Sequence, residues 1–409
     1  MQRQFNRRQF LGTASAAALA TPFMVHSARA RAGRKGPNDL ITIGVIGTGT
    51  QGGGLTGNFL AMPDTQVVAV CDVDTTRREH HRKRVDEFYS VKGNKDYKGC
   101  AAYKEFSELL ARKDIDAVVI AAPDHWHAYI AIAACKAGKD VYCQKPESLT
   151  IREGRAMVEN ARRYNRVVSG GSQRVMDDYR KTVEKCWSGK IGTPKEAFAN
   201  PGMPSVQCCN LPGMPVPEGL DWDMWLGPAP MAPYHPYRMS DSWNIAGNVC
   251  WRSWRDYSGG SMTDWGAHYF GGVLFALNKM EEGPVEILPP DGKGRKYLTF
   301  KYADGTLRYH SLDHHVDVIG DGIPVAPREI PTYKGHGGIY GDFIECVKTR
   351  EKPFRDIERA HRTISIAHLA VIAYDLNRPL KWDPVKEIFP GDPQANRFLD
   401  RAHREPWTI

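Results

Sequence analysis

The chain has 409 residues, 42% of them hydrophobic and 25% charged, a balance that excludes a disordered or collagen-like protein. No apolar run reaches the ~20 residues of a bilayer-spanning helix, so stable membrane insertion is not expected. The net charge of +8 is concentrated at one end: residues 1–32 hold five arginines and no acid, and the remainder carries only +3, so no nucleic-acid partner is implied.

Residues 1–32 read as a targeting signal. A charged start ends in Asn6-Arg7-Arg8-Gln9-Phe10-Leu11, a mildly apolar run extends to Val25, and Ala28-Arg29-Ala30 or Ala30-Arg31-Ala32 offers a small-x-small cleavage site. Paired arginines before Phe-Leu resemble a twin-arginine (Tat) export signal, which implies recognition by the Tat machinery and a periplasmic destination. Of the nine cysteines, Cys71, Cys135 and Cys143 sit in or beside apolar segments, Cys208 and Cys209 are neighbours, and no C-x-x-C occurs. No disulfide framework or structural zinc is therefore expected. Tat export moves cargo that has already folded in the reducing cytoplasm, which suits a protein that folds around a cytoplasmic cofactor.

From Leu40, strand and helix alternate. Residues 41–46 read as a buried strand, and Gly47-Thr48-Gly49-Thr50-Gln51-Gly52 follows at once and opens a helix. Residues 66–71 form the next strand, closed by Asp72. Strand, glycine turn, helix, strand and acid together make the dinucleotide fingerprint. The glycines admit a pyrophosphate to the backbone, the helix N-terminus favours its charge, and Asp72 accepts from ribose hydroxyls. Asp72 would repel a 2′-phosphate, which favours NAD over NADP. Residues 116–121 form a strand running into Ala122-Pro123-Asp124, with a helix over 125–138. Residues 140–143 form another, running into Gln144-Lys145-Pro146, with a helix over 151–164 and a last strand over 166–169. Loops at the C-terminal ends of such strands bind the ligand, which places Lys145 at the nicotinamide end and His127 in the cofactor loop.

Beyond Val175 the pattern changes. A helix over 176–189 and a strand over 195–200 precede a Pro/Gly/Trp-rich stretch, 201–255, too long for a simple connection. Strands are predicted over 285–288, 296–302 and 306–311, the last two joined by an Asp304-Gly305 turn, then helices over 338–350 and 357–374. Grouped strands after a βα series imply a mostly antiparallel sheet covered by helices. The predicted domains are 38–172 and 173–385, with a tail, 386–409, packed on both. Six of ten tryptophans (Trp222, Trp225, Trp243, Trp251, Trp254, Trp265) fall within 44 residues. Indole faces stack on sugar rings, while neighbouring Arg252, Arg255, Asp256 and Tyr257 can bond hydroxyls. Histidines at 80–81, 125/127 and 314–315 have no matching carboxylate or cysteine constellation, and no metal is expected.

Ala122-Pro123-Asp124-His125-Trp126-His127, Gln144-Lys145-Pro146 and Asp264-Trp265-Gly266-Ala267-His268 together resemble the motifs of the Gfo/Idh/MocA (glucose–fructose oxidoreductase/inositol dehydrogenase) family. The likeness extends through Gly171-Ser172-Gln173-Arg174, Pro217–Pro230, Tyr257–Gly260 and Asn396–Trp407, a set similar to the secreted, sugar-oriented branch. It implies an α/β Rossmann domain followed by an α+β domain with an open-faced sheet, through which chains form homo-oligomers. Pro123, Asp124, His127, Gln144, Lys145 and Gln173 would hold the cofactor with the glycine turn. Arg174, Trp251, Arg252, Trp254, Tyr257 and Trp265 would face a carbohydrate. Lys145, Asp264 and His268 would carry the chemistry, with His268 the general base. Gln144 departs from the family, which usually has Glu there, and Gly271 stands near where many relatives have an acid. The expected activity is NAD-dependent oxidation of a secondary hydroxyl on a sugar, glycoside or cyclitol, at C3 if a glycoside; the alternative is a glycosidase that oxidises transiently with no net redox change. Changing Arg7 and Arg8 together to Lys is predicted to leave folded precursor in the cytoplasm on cell fractionation; periplasmic delivery of that variant by the general secretory route would contradict the reading.

Overall fold

The computed structural model describes residues 40–92, 97–207, 211–240, 250–313 and 316–409. The targeting signal, Cys208, Cys209, Trp243, His314 and His315 lie outside them.

Six strands, β1 (Ile41–Ile46), β2 (Thr65–Cys71), β3 (Ala101–Tyr103), β4 (Ala117–Ile120), β5 (Asp140–Cys143) and β6 (Val168–Gly170), form a parallel sheet in the order β3-β2-β1-β4-β5-β6. This is the doubly wound order in which dinucleotides bind across the switch between β1 and β4. The short β3, half-buried, has no apolar run to announce it. The helix Ile151–Arg163 starts with a capping box: Thr150 accepts from the Glu153 backbone, and the Glu153 carboxylate accepts from the Thr150 backbone.

A second sheet has the order β11-β7-β10-β9-β8-β12, from β7 (Pro194–Ala199), β8 (Glu286–Leu288), β9 (Leu298–Lys301), β10 (Leu307–His310), β11 (Val316–Gly320) and β12 (Leu380–Lys381). Only β7 and β10 pair in parallel. The turn after β9 has Gly305 at φ 84°, as Asp-Gly predicts. Ala197, Ala199, Ile287, Leu298, Phe300 and Val318 point inward against the helices Gly266–Ala276 and Ile357–Leu376. Phe198 and Tyr309 stack on the outer face with centroids 4.9 Å apart. Among the described residues, no helix is long and apolar enough to cross a membrane.

The predicted helix over 176–189 is two, Arg174–Asp177 and Arg180–Trp187. The helix Gly338–Thr349, grouped by sequence with the second domain, supplies Ile339, Phe343 and Ile344 to the first sheet's core. The Phe343 ring lies 5.8 Å from that of Tyr142 and 6.4 Å from that of Phe59. Arg155 binds Glu358 and Glu387, each at 2.8 Å, and ties the helix Ile151–Arg163 to the C-terminal segment. Phe343→Ala is predicted to lower the unfolding free energy by about 3–5 kcal/mol, read from denaturant melts of the mature chain.

Candidate active site

β1 ends in a turn that only glycine fits. Gly47 has φ +86°, and a Cβ there would lie 2.6 Å from the Ala121 and Ala122 backbone. A Cβ on Gly52 would lie 2.0 Å from the Gly47 carbonyl oxygen, so this glycine allows the helix Thr50–Ala61 to pack against its own strand. Asp72, at the end of β2, braces the turn: one oxygen accepts from Thr48 N at 2.7 Å and Thr48 Oγ1 at 2.9 Å, and the other from Asp74 N at 2.9 Å.

One cavity starts at this turn and runs to the far end of the sheet. Gly47, Gly49, Thr50, Gln51 and Asp72 line its near part. Pro123, Asp124, His127, Gln144 and Lys145 line the part between β4 and β5, with Trp251 and Arg252 opposite. Gln144 Oε1 accepts from Lys145 N at 2.7 Å, while its Nε2 and Asp124 Oδ2 are buried without protein partners. The glycine cradle, the acid after β2 and these spare polar atoms fit a nicotinamide dinucleotide.

Charge converges at the far end. Lys145 Nζ lies 2.7 Å from Asp264 Oδ1, and Arg252 Nε lies 3.3 Å from the same oxygen. Burial raises the Asp264 pKa, but the two cations outweigh it and hold the carboxyl below its usual range. Burial, reinforced by the Lys145 charge, pushes the His268 pKa well below that of a free imidazole, against the pull of Asp264. Burial lifts the Asp124 carboxyl to about 7, helped by the Asp264 charge and opposed by Ser258, Arg252 and Lys145. Burial lowers His127 to about 4; its Nδ1 donates to the Pro146 carbonyl at 2.7 Å.

Asp264 and His268, four residues apart, do not share one regular helical turn. Asp264 ends the short helix Ser261–Asp264 and His268 lies in the next, with a tight bond from His268 N to the Trp265 carbonyl between them. Asp264, His268, Gln173, Arg174 and Trp265 lie off the cavity wall, and Lys145 and Arg252 are the wall residues through which Asp264 is linked to it; the Arg174 guanidinium sits 5.1 Å over the Trp265 ring. Trp254 and Tyr257, expected to face a sugar, are buried and lie off this cavity's wall. Trp254 Nε1 donates to the Tyr237 carbonyl at 3.1 Å, and Tyr257 is fully buried against His125 and Trp225.

Three features escape the sequence reading. The first is Ser172, whose Oγ lies 2.7 Å from His268 Nδ1; its only signal is the quoted Gly171–Arg174 stretch. The second is a strap, residues 211–240, laid over the C-terminal ends of β2 and β3. Thr75 N donates to Gly219, Asp221 N to Val73, and Lys104 pairs with Asp221 at 2.6 Å. Met224, Trp225 and Met239 of the strap line the cavity. The third is Arg404 in the tail, which fastens the strap through Nε to the Gly227 carbonyl and Nη2 to the Asp223 carbonyl, both at 2.8 Å.

Two family models match this architecture: an oxidoreductase family NAD-binding Rossmann fold over residues 41–172, and the C-terminal alpha/beta domain of the same family over 195–308 and 320–409. The chain belongs to the Gfo/Idh/MocA oxidoreductase family. It is 32% identical over 171 residues to a protein of Shewanella sp. strain ANA-3 named glycosyl hydrolase family 109 protein 2, covering 38% of this chain and 37% of that one. It is 29% identical over 196 residues to myo-inositol 2-dehydrogenase of Thermotoga maritima, covering 47% and 54%. The matches thus span about a third to a half of these curated relatives. The fold is that of the WlbA dehydrogenase of Bordetella pertussis, solved with NADH and UDP-GlcNAcA, with a TM-score of 0.56, 16% identity and coverage of 84% and 100%.

Burial lowers the His268 pKa, so with His268 as the base the acidic limb of the rate profile would lie below that of a free imidazole, as measured by kcat against pH. In that role His268→Ala would lower kcat by roughly 10²–10⁴-fold.

Proposed function

We propose that this chain is a periplasmic, Tat-exported oxidoreductase that uses tightly held NAD to oxidise a secondary hydroxyl of a sugar, glycoside or cyclitol. The observation that carries the reading is Lys145, paired with Asp264 at 2.7 Å, on the wall of a cavity that begins at the glycine turn. Asp72 and Asp74 line that cavity beside Arg77, and the preference for NAD over NADP rests on the two carboxylates opposing a 2′-phosphate.

NAD bound in this cavity supplies the hydride acceptor. Lys145, its charge balanced by Asp264, orients the reacting hydroxyl and stabilises the developing alkoxide. His268 takes the hydroxyl proton, and burial keeps it in the form that can do so. Trp251 and Arg252, whose guanidinium lies 4.2 Å over the indole ring, would meet the polyol together. The outer-face aromatics Phe198, Tyr297 and Tyr309 support association of copies through the second sheet.

The strap and its Arg404 fastening support retention of the cofactor through turnover, so that reduced nicotinamide is reoxidised in place by a keto-sugar. Arg404→Ala is predicted to raise the dissociation rate of bound NAD roughly tenfold, since it removes several charge-assisted hydrogen bonds; stopped-flow displacement measures it. A second reading, redox-neutral cleavage of a glycoside, is favoured by the glycosyl hydrolase relatives and by Asp124, a buried carboxyl poised to exchange a proton near pH 7. The two separate by mass spectrometry of a glycoside incubated with holoprotein, alone and with a 3-keto-sugar. Oxidation predicts a product lighter by two hydrogens that appears only with the acceptor; free aglycone from the glycoside alone would establish the cleavage cycle instead.

A further inference from the structure

His268 is held from the other domain. Ser172 lies two residues beyond the end of β6 and is fully buried, as His268 nearly is. Its Oγ lies 2.7 Å from His268 Nδ1 and 3.0 Å from the Ala267 carbonyl oxygen. A serine hydroxyl has one hydrogen and two lone pairs, and a carbonyl oxygen can only accept. Were the hydrogen given to Nδ1, two lone-pair oxygens would face each other at 3.0 Å with nothing between them. Given to the Ala267 carbonyl, it leaves Oγ free to accept from Nδ1–H, and all three atoms are satisfied.

We propose that Ser172 is a positioning residue that locks His268 as the Nδ1–H tautomer, so that the unprotonated Nε2 is the atom that takes the substrate proton. The assignment rests on the oxidoreductase reading for the role of Nε2, but the lock itself does not. In the step served, the hydroxyl proton would pass to Nε2, and a nicotinamide held in the cavity would supply the acceptor for the carbinol hydrogen and its electron pair. Nδ1–H remains bonded to Oγ throughout, so the imidazolium forms without rotation of the ring. A free imidazole exchanges between tautomers, and the one protonated at Nε2 cannot act as the base from that nitrogen.

The test is nitrogen NMR of ¹⁵N-histidine-labelled holoprotein, with the His268 signals assigned by their loss in His268→Gln. Wild type should show a protonated Nδ1 and an unprotonated Nε2. Ser172→Ala should move a substantial part of the proton to Nε2, and Ser172→Cys, nearly the same shape but a weak acceptor, should fall between. With a reacting polyol, Ser172→Ala should lower kcat roughly 10- to 100-fold with KM little changed, less than removal of the base itself. A wild-type His268 protonated at Nε2 would overturn the proposal, as would a tautomer unaltered in both Ser172 variants or an altered tautomer with undiminished kcat. If no polyol reduces the bound cofactor of wild type, the oxidoreductase reading fails, and the nitrogen spectra still decide the lock.

Discussion

The site depends on an ion pair that neither domain can make alone. Lys145 comes from the end of β5 and Asp264 from the second domain, and the two meet at 2.7 Å with little solvent on either. Such a pair adds little to stability over apolar packing, but breaking it strands a charge in low dielectric at a cost of about 3–5 kcal/mol. It therefore fixes the spacing of the domains rather than strengthening them. Arg252 shares the same carboxylate, and the Ser172–His268 bond makes a second crossing nearby. Several charged or polar groups thus converge where the cavity ends, and the domain interface is the site.

What could be read from the sequence follows from how local each signal is. The glycine turn was legible because its chemistry is contiguous: Gly47 to Gly52 and Asp72 sit on consecutive elements, and their steric reasons concern neighbouring backbone. Lys145 was placed correctly at a strand end because parallel strands put their loops on one side. β3, β11 and β12 were missed; they are short, and their pairing comes from distant segments. The burial of Trp254 and Tyr257 is not legible, because an aromatic in an irregular loop carries no periodicity to separate a wall residue from a packed one. Ser172 was quoted but given no role, since a serine announces nothing until a histidine from ninety-six residues away is set against it.

The long proline- and tryptophan-rich stretch has a physical purpose in the fold. Its strap pairs with the ends of β2 and β3 and turns Met224 and Trp225 toward the cavity. The tail then closes over it: Arg404 bonds the strap, and Trp407 packs edge-on against Trp126 at 4.7 Å. The strap and tail accord with the proposed export of a folded protein that carries its cofactor.

The central claim is that a carbon-bound hydrogen leaves the substrate at the end of this cavity. The most direct measurement is a single turnover of holoprotein with a cyclitol or glycoside deuterated at its carbinol carbons, read by absorbance of the bound nicotinamide and by mass of the cofactor released afterwards. The account predicts slower reduction with the deuterated substrate and one deuterium recovered in the cofactor. Reduction with neither an isotope effect nor transferred label would contradict it.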